Sequence, residues 1–127
     1  MHTLNQWIGE GNIGSDIELR HTYNTKKAVT NFFLYVQEVH KTQAGPNQTN
    51  YKKITSKIPI VAWDGKAKFI ANNMSKGDKV RVVGKLKTRL VEKEDYSYNT
   101  FEIILDTISL ISSVNDEISK ITRPLDY

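Results

Sequence analysis

Lys79, Arg81, Lys85, Lys87 and Arg89 place five cations at alternate or near-alternate positions of one segment. Between residues 79 and 91 no acid interrupts them, and Asp78 stands at the edge. A second acid-free stretch, residues 39 to 63, carries Lys41, Lys52, Lys53 and Lys57. Aromatic rings lie in or beside both: Phe33, Tyr35, Tyr51, Trp63, Tyr96 and Tyr98. Cations aligned in a groove follow the phosphates of a polyanion, and exposed rings offer faces on which bases stack. Alternating lysines also blunt the edge of a sheet against aggregation. The two basic stretches argue against that alone, because both fall in strands expected to lie side by side.

The residue types needed for catalysis are not brought together. His2, His21 and His40 sit in unrelated segments and the chain has no thiol, so no nucleophile, base pair or metal cluster is legible. Gly9, Gly11 and Gly14 fit the spacing G-x-G-x-x-G. A dinucleotide site requires a helix next, whereas residues 16 to 22 read as strand. The expectation is a protein that is not an enzyme and has no cofactor or metal.

The elements that would position these residues follow from periodicity. Residues 4 to about 22 read as a first strand interrupted by glycines, which mark bends or close approaches. Residues 28 to 41 form the clearest strand, with Phe32, Leu34 and Val36 on one face and Asn31, Phe33, Tyr35 and Gln37 on the other. One face is expected to be core and the other a binding or subunit surface. Residues 42 to 50, with Gly-Pro at their centre, read as a polar loop. The third strand spans residues 51 to 63, and Trp63 alternates out of phase with Ile58, Ile60 and Ala62.

Ala67, Ile70, Ala71 and Met74 then fall at helical spacing, with Asp64 as the expected N-cap and Gly77 as the stop. The basic fourth strand runs from 79 to about 91, a charged hairpin tip follows, and the fifth strand covers about 98 to 111. Phe32 and Phe101 share faces with aliphatic residues and are expected in the core, while Trp7 is ambiguous. Five strands with a short helix between the third and fourth is the order of an OB-fold, a mainly all-β, partly open Greek-key barrel.

Composition fits this reading. The 127 residues suffice for one core, and hydrophobic and charged fractions of 39% and 25% are those of a globular domain. A formal charge of +4 and a pI near 9.2 favour an anionic partner. There is no cysteine, which removes disulfides, cysteine-based zinc sites and thiol catalysis. No apolar run is long enough to span a bilayer and the N-terminus lacks signal-peptide blocks, so a cytoplasmic location without membrane contact is expected.

Four segments, GNIGSDIELR from Gly11, the strand around Ala28, Asn31, Phe32 and Leu34, PIVAWDGKA, and KGDKVRVVGKLKTR from Lys76, together resemble the bacterial-type single-stranded-DNA-binding protein (SSB) family. The likeness covers about residues 4 to 111, in the family's order and spacing. It implies an OB-fold that binds single-stranded DNA without sequence preference and protects it in replication, recombination and repair. A homotetramer is implied, with a dimer as the other assembly, and replication or recombination proteins as partners. Trp63 matches the family's aromatic at the end of the third strand. The positions of three family tryptophans fall on His40 and near Lys57 and Val91.

The resemblance and the charge pattern together nominate Phe33, Tyr35, His40, Tyr51, Lys53, Lys57, Trp63, Arg81, Lys85, Lys87, Arg89 and Tyr96 as DNA-binding residues. RNA fits the same chemistry of stacking and phosphate tracking. A primosomal-type adaptor on the same fold, with a protein as main partner, is the alternative. Residues 112 to 127 read as a short tail, with a helical turn over 115 to 120. The tail ends Arg123-Pro-Leu-Asp-Tyr127 without the family's linker or acidic tip, as expected of a compact phage- or plasmid-borne member with a natural terminus.

Overall fold

The computed structural model describes residues 2–114, within which six strands and one helix form in the order β1 (Trp7–Ile13), β2 (Arg20–His21), β3 (Ala28–Gly45), β4 (Gln48–Trp63), α1 (Asp64–Asn73), β5 (Lys79–Glu92) and β6 (Ser97–Ser112). The expected first strand is thus two short ones, β1 and β2. The helical turn expected over 115 to 120 lies outside the described residues.

The strands run β1-β5-β6-β4-β3-β2, and β1 also pairs with β3. That extra pairing closes the sheet. Residues 7–12 of β1 run antiparallel to β5, and Asn12 and Ile13 then cross to face Tyr35 and Leu34 of β3. The ring β1-β5-β6-β4-β3 is a five-stranded barrel of the OB type with β2 as an added edge. Gly11 permits the crossing, since a Cβ there would collide with the backbone carbonyl oxygen of Tyr35. Ahead of β1, the Asn5 side chain continues the pairing with β5: its amide donates to the Leu86 carbonyl at 2.8 Å, and its oxygen accepts from the Leu86 N–H at 3.0 Å.

Inward-facing residues alternate as a half-buried strand requires. Ile13, Phe32, Leu34, Ile60, Ala62, Val80, Val82, Ile103 and Leu105 fill the barrel, and Ala67 and Ile70 of α1, with Met74 just past its end, plug it from one end. The helix is the core plug that its spacing predicts, but its start differs. Trp63 occupies the N-cap position and makes no side-chain cap bond, while Asp64 is the first helical residue, with φ of 56°. Aspartate tolerates this left-handed conformation better than most residues, and it turns the chain sharply out of β4. Its charge falls in the first helical turn, where the helix dipole favours an acid. The helix ends at Asn73 with an extended Met74, and Gly77 adopts φ of 97° in the turn that follows.

Three further expectations are corrected. Residues 42 to 50 are not a loop: β3 and β4 stay paired out to Gly45 and Gln48, forming a long arm beyond the barrel. Phe101 is 45% exposed, although it shares a face with the buried Ile103 and Leu105, because it lies on the side of Ile103 toward the open hairpin end. The two basic stretches are not neighbours, because β6 inserts between β4 and β5. Trp7 resolves as a partner of the core, with its ring laid over Gly9.

Candidate nucleic-acid interface

The register of the β3–β4 hairpin decides which candidates share a surface. Val29 faces Trp63, Asn31 faces Val61, Phe33 faces Pro59, Tyr35 faces Lys57, Val39 faces Lys53 and Lys41 faces Tyr51. All alternate out of phase with the buried Phe32, Leu34, Ile60 and Ala62. Six candidates (Phe33, Tyr35, Tyr51, Lys53, Lys57 and Trp63) therefore stand on one face of the barrel and its arm. His40 falls on the opposite face, where its Nε2 lies 3.0 Å from the Glu38 carboxylate.

The barrel part of this face is hollowed into a groove. Phe33, Pro59 and Val61 form its floor, with Ser15 and Asp16 on one side and Arg89, Thr100, Phe101 and Glu102 on the other, enclosing about 480 Å³. A second hollow of about 320 Å³ shares Asn31, Val61, Arg89 and Glu102 with the first and extends it to Trp63, Arg20 and His21. Among the described residues β4 and β6 pair in parallel at two positions, Ile60 with Ile103 and Val61 with Ile104, all buried or half-buried. The groove lies over this seam.

Its floor is held by backbone contacts. Gly14 donates its N–H to the Phe33 carbonyl at 2.8 Å, and the Phe33 N–H donates to the Ser15 hydroxyl at 3.0 Å. The short β2 is held where Arg20 pairs with Val29. The buried Thr30 hydroxyl also donates to the Glu18 carbonyl at 2.8 Å. Arg20 then reaches the groove and donates to the Asn31 side-chain oxygen at 3.1 Å.

The basic strand divides. Lys85, Lys87 and Arg89 share the outward side of β5, opposite Ile104, Glu102 and Thr100 of β6. Arg89 enters the groove, and Lys87 and Lys85 continue from it. Arg81 is placed elsewhere, opposite Ser109 and Glu10, and its Nε lies 3.9 Å from the Glu10 carboxylate. Both members of that pair are about half exposed, so it contributes little to stability.

Tyr96 sits near the tip of the β5–β6 hairpin, its ring 6.0 Å from that of Tyr98 and inclined by 22°. Tyr98 in turn faces Val91. Among the described residues no cluster of three metal-ligating side chains occurs.

The face is thus a ring-bearing groove bordered by the guanidinium groups of Arg20 and Arg89 and by the carboxylates of Asp16 and Glu102, with Lys57, Lys85 and Lys87 farther along the outward sides of β4 and β5. It offers stacking faces and phosphate contacts side by side, as single-stranded nucleic acid requires. Arg20 and Asn31 were absent from the candidates drawn from sequence. Arg20 stands alone among Asp16, Glu18 and Leu19 rather than in a basic run, and only the β2–β3 pairing brings it to Trp63.

The sequence model of the single-strand binding protein family matches residues 4–111. The chain belongs to this family. It is 31% identical over 118 residues to a single-stranded DNA-binding protein of Clostridium tetani, a match covering 91% of this chain and 76% of that protein. Single-stranded DNA-binding protein 2 of Clostridium acetobutylicum is 35% identical over 92 residues, covering 72% of this chain and 64% of the relative. Among solved structures, Plasmodium falciparum SSB in complex with ssDNA superposes with a TM-score of 0.73 at 24% identity, covering 88% of this chain and 98% of that one. That likeness is one of fold, and it agrees with the closed barrel. In this chain the groove brings the exposed rings of Trp63 and Phe33 and the guanidinium groups of Arg20 and Arg89 onto one surface. No helix among the described residues is long and apolar enough to cross a membrane.

Proposed function

We propose that this family member binds single-stranded DNA without sequence preference and shields it during replication, recombination and repair. Bases stack on Trp63 and Phe33, while Arg20, Arg89, Lys87 and Lys85 contact the phosphates. The observation that carries this reading is the continuous groove from Phe33 to Trp63, bounded by Arg20 on one strand and Arg89 on another. Lys53, Tyr51 and the Tyr96–Tyr98 pair extend the same surface along the two hairpin arms. A homotetramer working in the cytoplasm completes the proposal.

Stacking is indifferent to base identity because every base has a π-face, and each stacked base contributes about 1–3 kcal/mol. The phosphate contacts make binding salt-dependent, with log K falling against log salt at about −0.7 per neutralised phosphate. Titration of intrinsic tryptophan fluorescence with oligo-dT, a mixed-sequence strand, the same strand as RNA, and a duplex tests the reading. The expected result is similar affinity for the two DNA strands and much weaker binding to duplex. A flat salt response, or duplex bound as tightly as oligo-dT, overturns it. Light scattering on the same samples reads the assembly.

A further inference from the structure

Tyr35 shares the outward face of β3 with Phe33, yet it is half-buried rather than exposed and its ring is already in contact with its neighbours. Gly14 lies directly beneath it: a Cβ at Gly14 would collide with three atoms of the Tyr35 ring. The Lys57 ammonium lies 5.6 Å from the ring centroid, within cation–π range. Tyr35 and Lys57 are cross-strand partners in β3 and β4, so this contact is built into the register. The backbone of Tyr35 is fixed as well, through its pairing with Asn12 of β1 at the point where the barrel closes.

We infer that Tyr35 is a positioning residue that holds the Lys57 ammonium at the open end of the groove, and that it does not itself stack on a base. This rests on the reading of the groove as a single-strand binding surface. Lys57 lies two residues before Pro59 on the outward side of β4, so the Tyr35–Lys57 pair stands one step along the hairpin from the Phe33–Pro59 pair of the groove floor. A free lysine there would lose rotamer freedom on meeting a phosphate, which opposes binding. A ring seated on Gly14 restricts that freedom beforehand. The contact thus converts an exposed lysine into a preorganised phosphate ligand.

A double-mutant cycle on binding to oligo-dT separates positioning from stacking, using Tyr35→Leu, Lys57→Met and the pair. Positioning predicts that Tyr35→Leu and Lys57→Met each weaken binding by up to about fivefold, the range of one exposed charge contact. Each should also flatten the salt slope, by about 0.7 for Lys57→Met and by part of that for Tyr35→Leu. The pair should be no weaker than Lys57→Met alone, and Tyr35→Phe should match the parent protein. Additive losses, or a Tyr35→Leu loss with the salt slope unchanged, overturn the inference in favour of stacking.

A measurement on the unaltered protein covers the case in which Tyr35→Leu does not fold. The Lys57 Hε protons should carry an upfield ring-current shift in their NMR spectrum and keep it when oligo-dT is added. Loss of that shift on binding means that a base has displaced the ammonium, which also overturns the inference. Failure of the parent protein to bind oligo-dT would instead reject the functional reading itself.

Discussion

Arg20 and Asn31 are joined by a hydrogen bond of 3.1 Å that ties the two-residue strand β2 to the outward face of β3 beside Trp63. The bond orients a guanidinium whose remaining donors are open to a phosphate, and the planar fork of arginine suits that geometry. Arg20→Ala should weaken single-strand binding and lower the salt slope by about 0.7, as the loss of one phosphate contact requires. Because Arg20 is exposed, the melting curve should move little, within about 0.5 kcal/mol. Fluorescence titrations over a salt series, paired with urea denaturation, check both halves. An unchanged slope would remove Arg20 from the phosphate path.

Trp63 is 37% exposed at the end of β4, while Trp7 packs against the core. Quenching of tryptophan emission by oligo-dT should therefore survive Trp7→Phe and largely vanish in Trp63→Phe. Trp63→Ala should cost about 1–3 kcal/mol of binding for every sequence tested. A loss confined to one base composition would mean that this position reads base edges rather than providing a platform.

The contrast between Trp63 and Arg20 shows what the sequence could and could not disclose. Alternation exposes Trp63 in one dimension, because Ile58, Ile60 and Ala62 define the inward phase and Trp63 is out of it. The same alternation separates Phe33 and Tyr35 from Phe32 and Leu34. Barrel closure, by contrast, depends on β1 leaving β5 for β3, a long-range pairing that no local pattern encodes. Three results followed from pairings of that kind: the position of Arg20, the insertion of β6 between the basic strands, and the removal of Arg81 from the groove to face Glu10. Phe101 misled because its phase is that of the core, while its place along β6 is beyond the residues that fill it. The Gly45-Pro46 pair signalled a turn correctly, but two residues of turn inside a long arm look like a loop when the flanking strands are polar on both sides.

Two glycines provide opposite tests of the backbone. Gly65 lies in the first turn of α1 with nothing near the position a Cβ would take. Gly65→Ala should stabilise the protein by about 0.4–1 kcal/mol by restricting the unfolded chain. Gly11 faces the Tyr35 carbonyl, a backbone atom that cannot yield without opening the barrel. Gly11→Ala should destabilise by about 1–3 kcal/mol or more, as overpacking does. Urea midpoints measure both. A neutral Gly11→Ala would show that the β1 crossing is looser than the pairing implies.

The arm makes a prediction about length. Tyr51 and Trp63 share the outward face of β4 but lie twelve residues apart, on the order of 40 Å at a strand's rise. A strand of about 6 nucleotides can fill the groove at Trp63 without reaching Tyr51, whereas one of about 30 can engage both. Tyr51→Ala should therefore leave the short strand's affinity unchanged and weaken the long strand by about 1–3 kcal/mol at most, the value of one stacked base. Lys53→Met should behave likewise, but with a lowered salt slope for the long strand only. Titrating both variants with strands of increasing length would locate the point at which the arm begins to contribute. If both lengths weaken equally, the arm acts through the stability of the barrel rather than through contact with the nucleic acid.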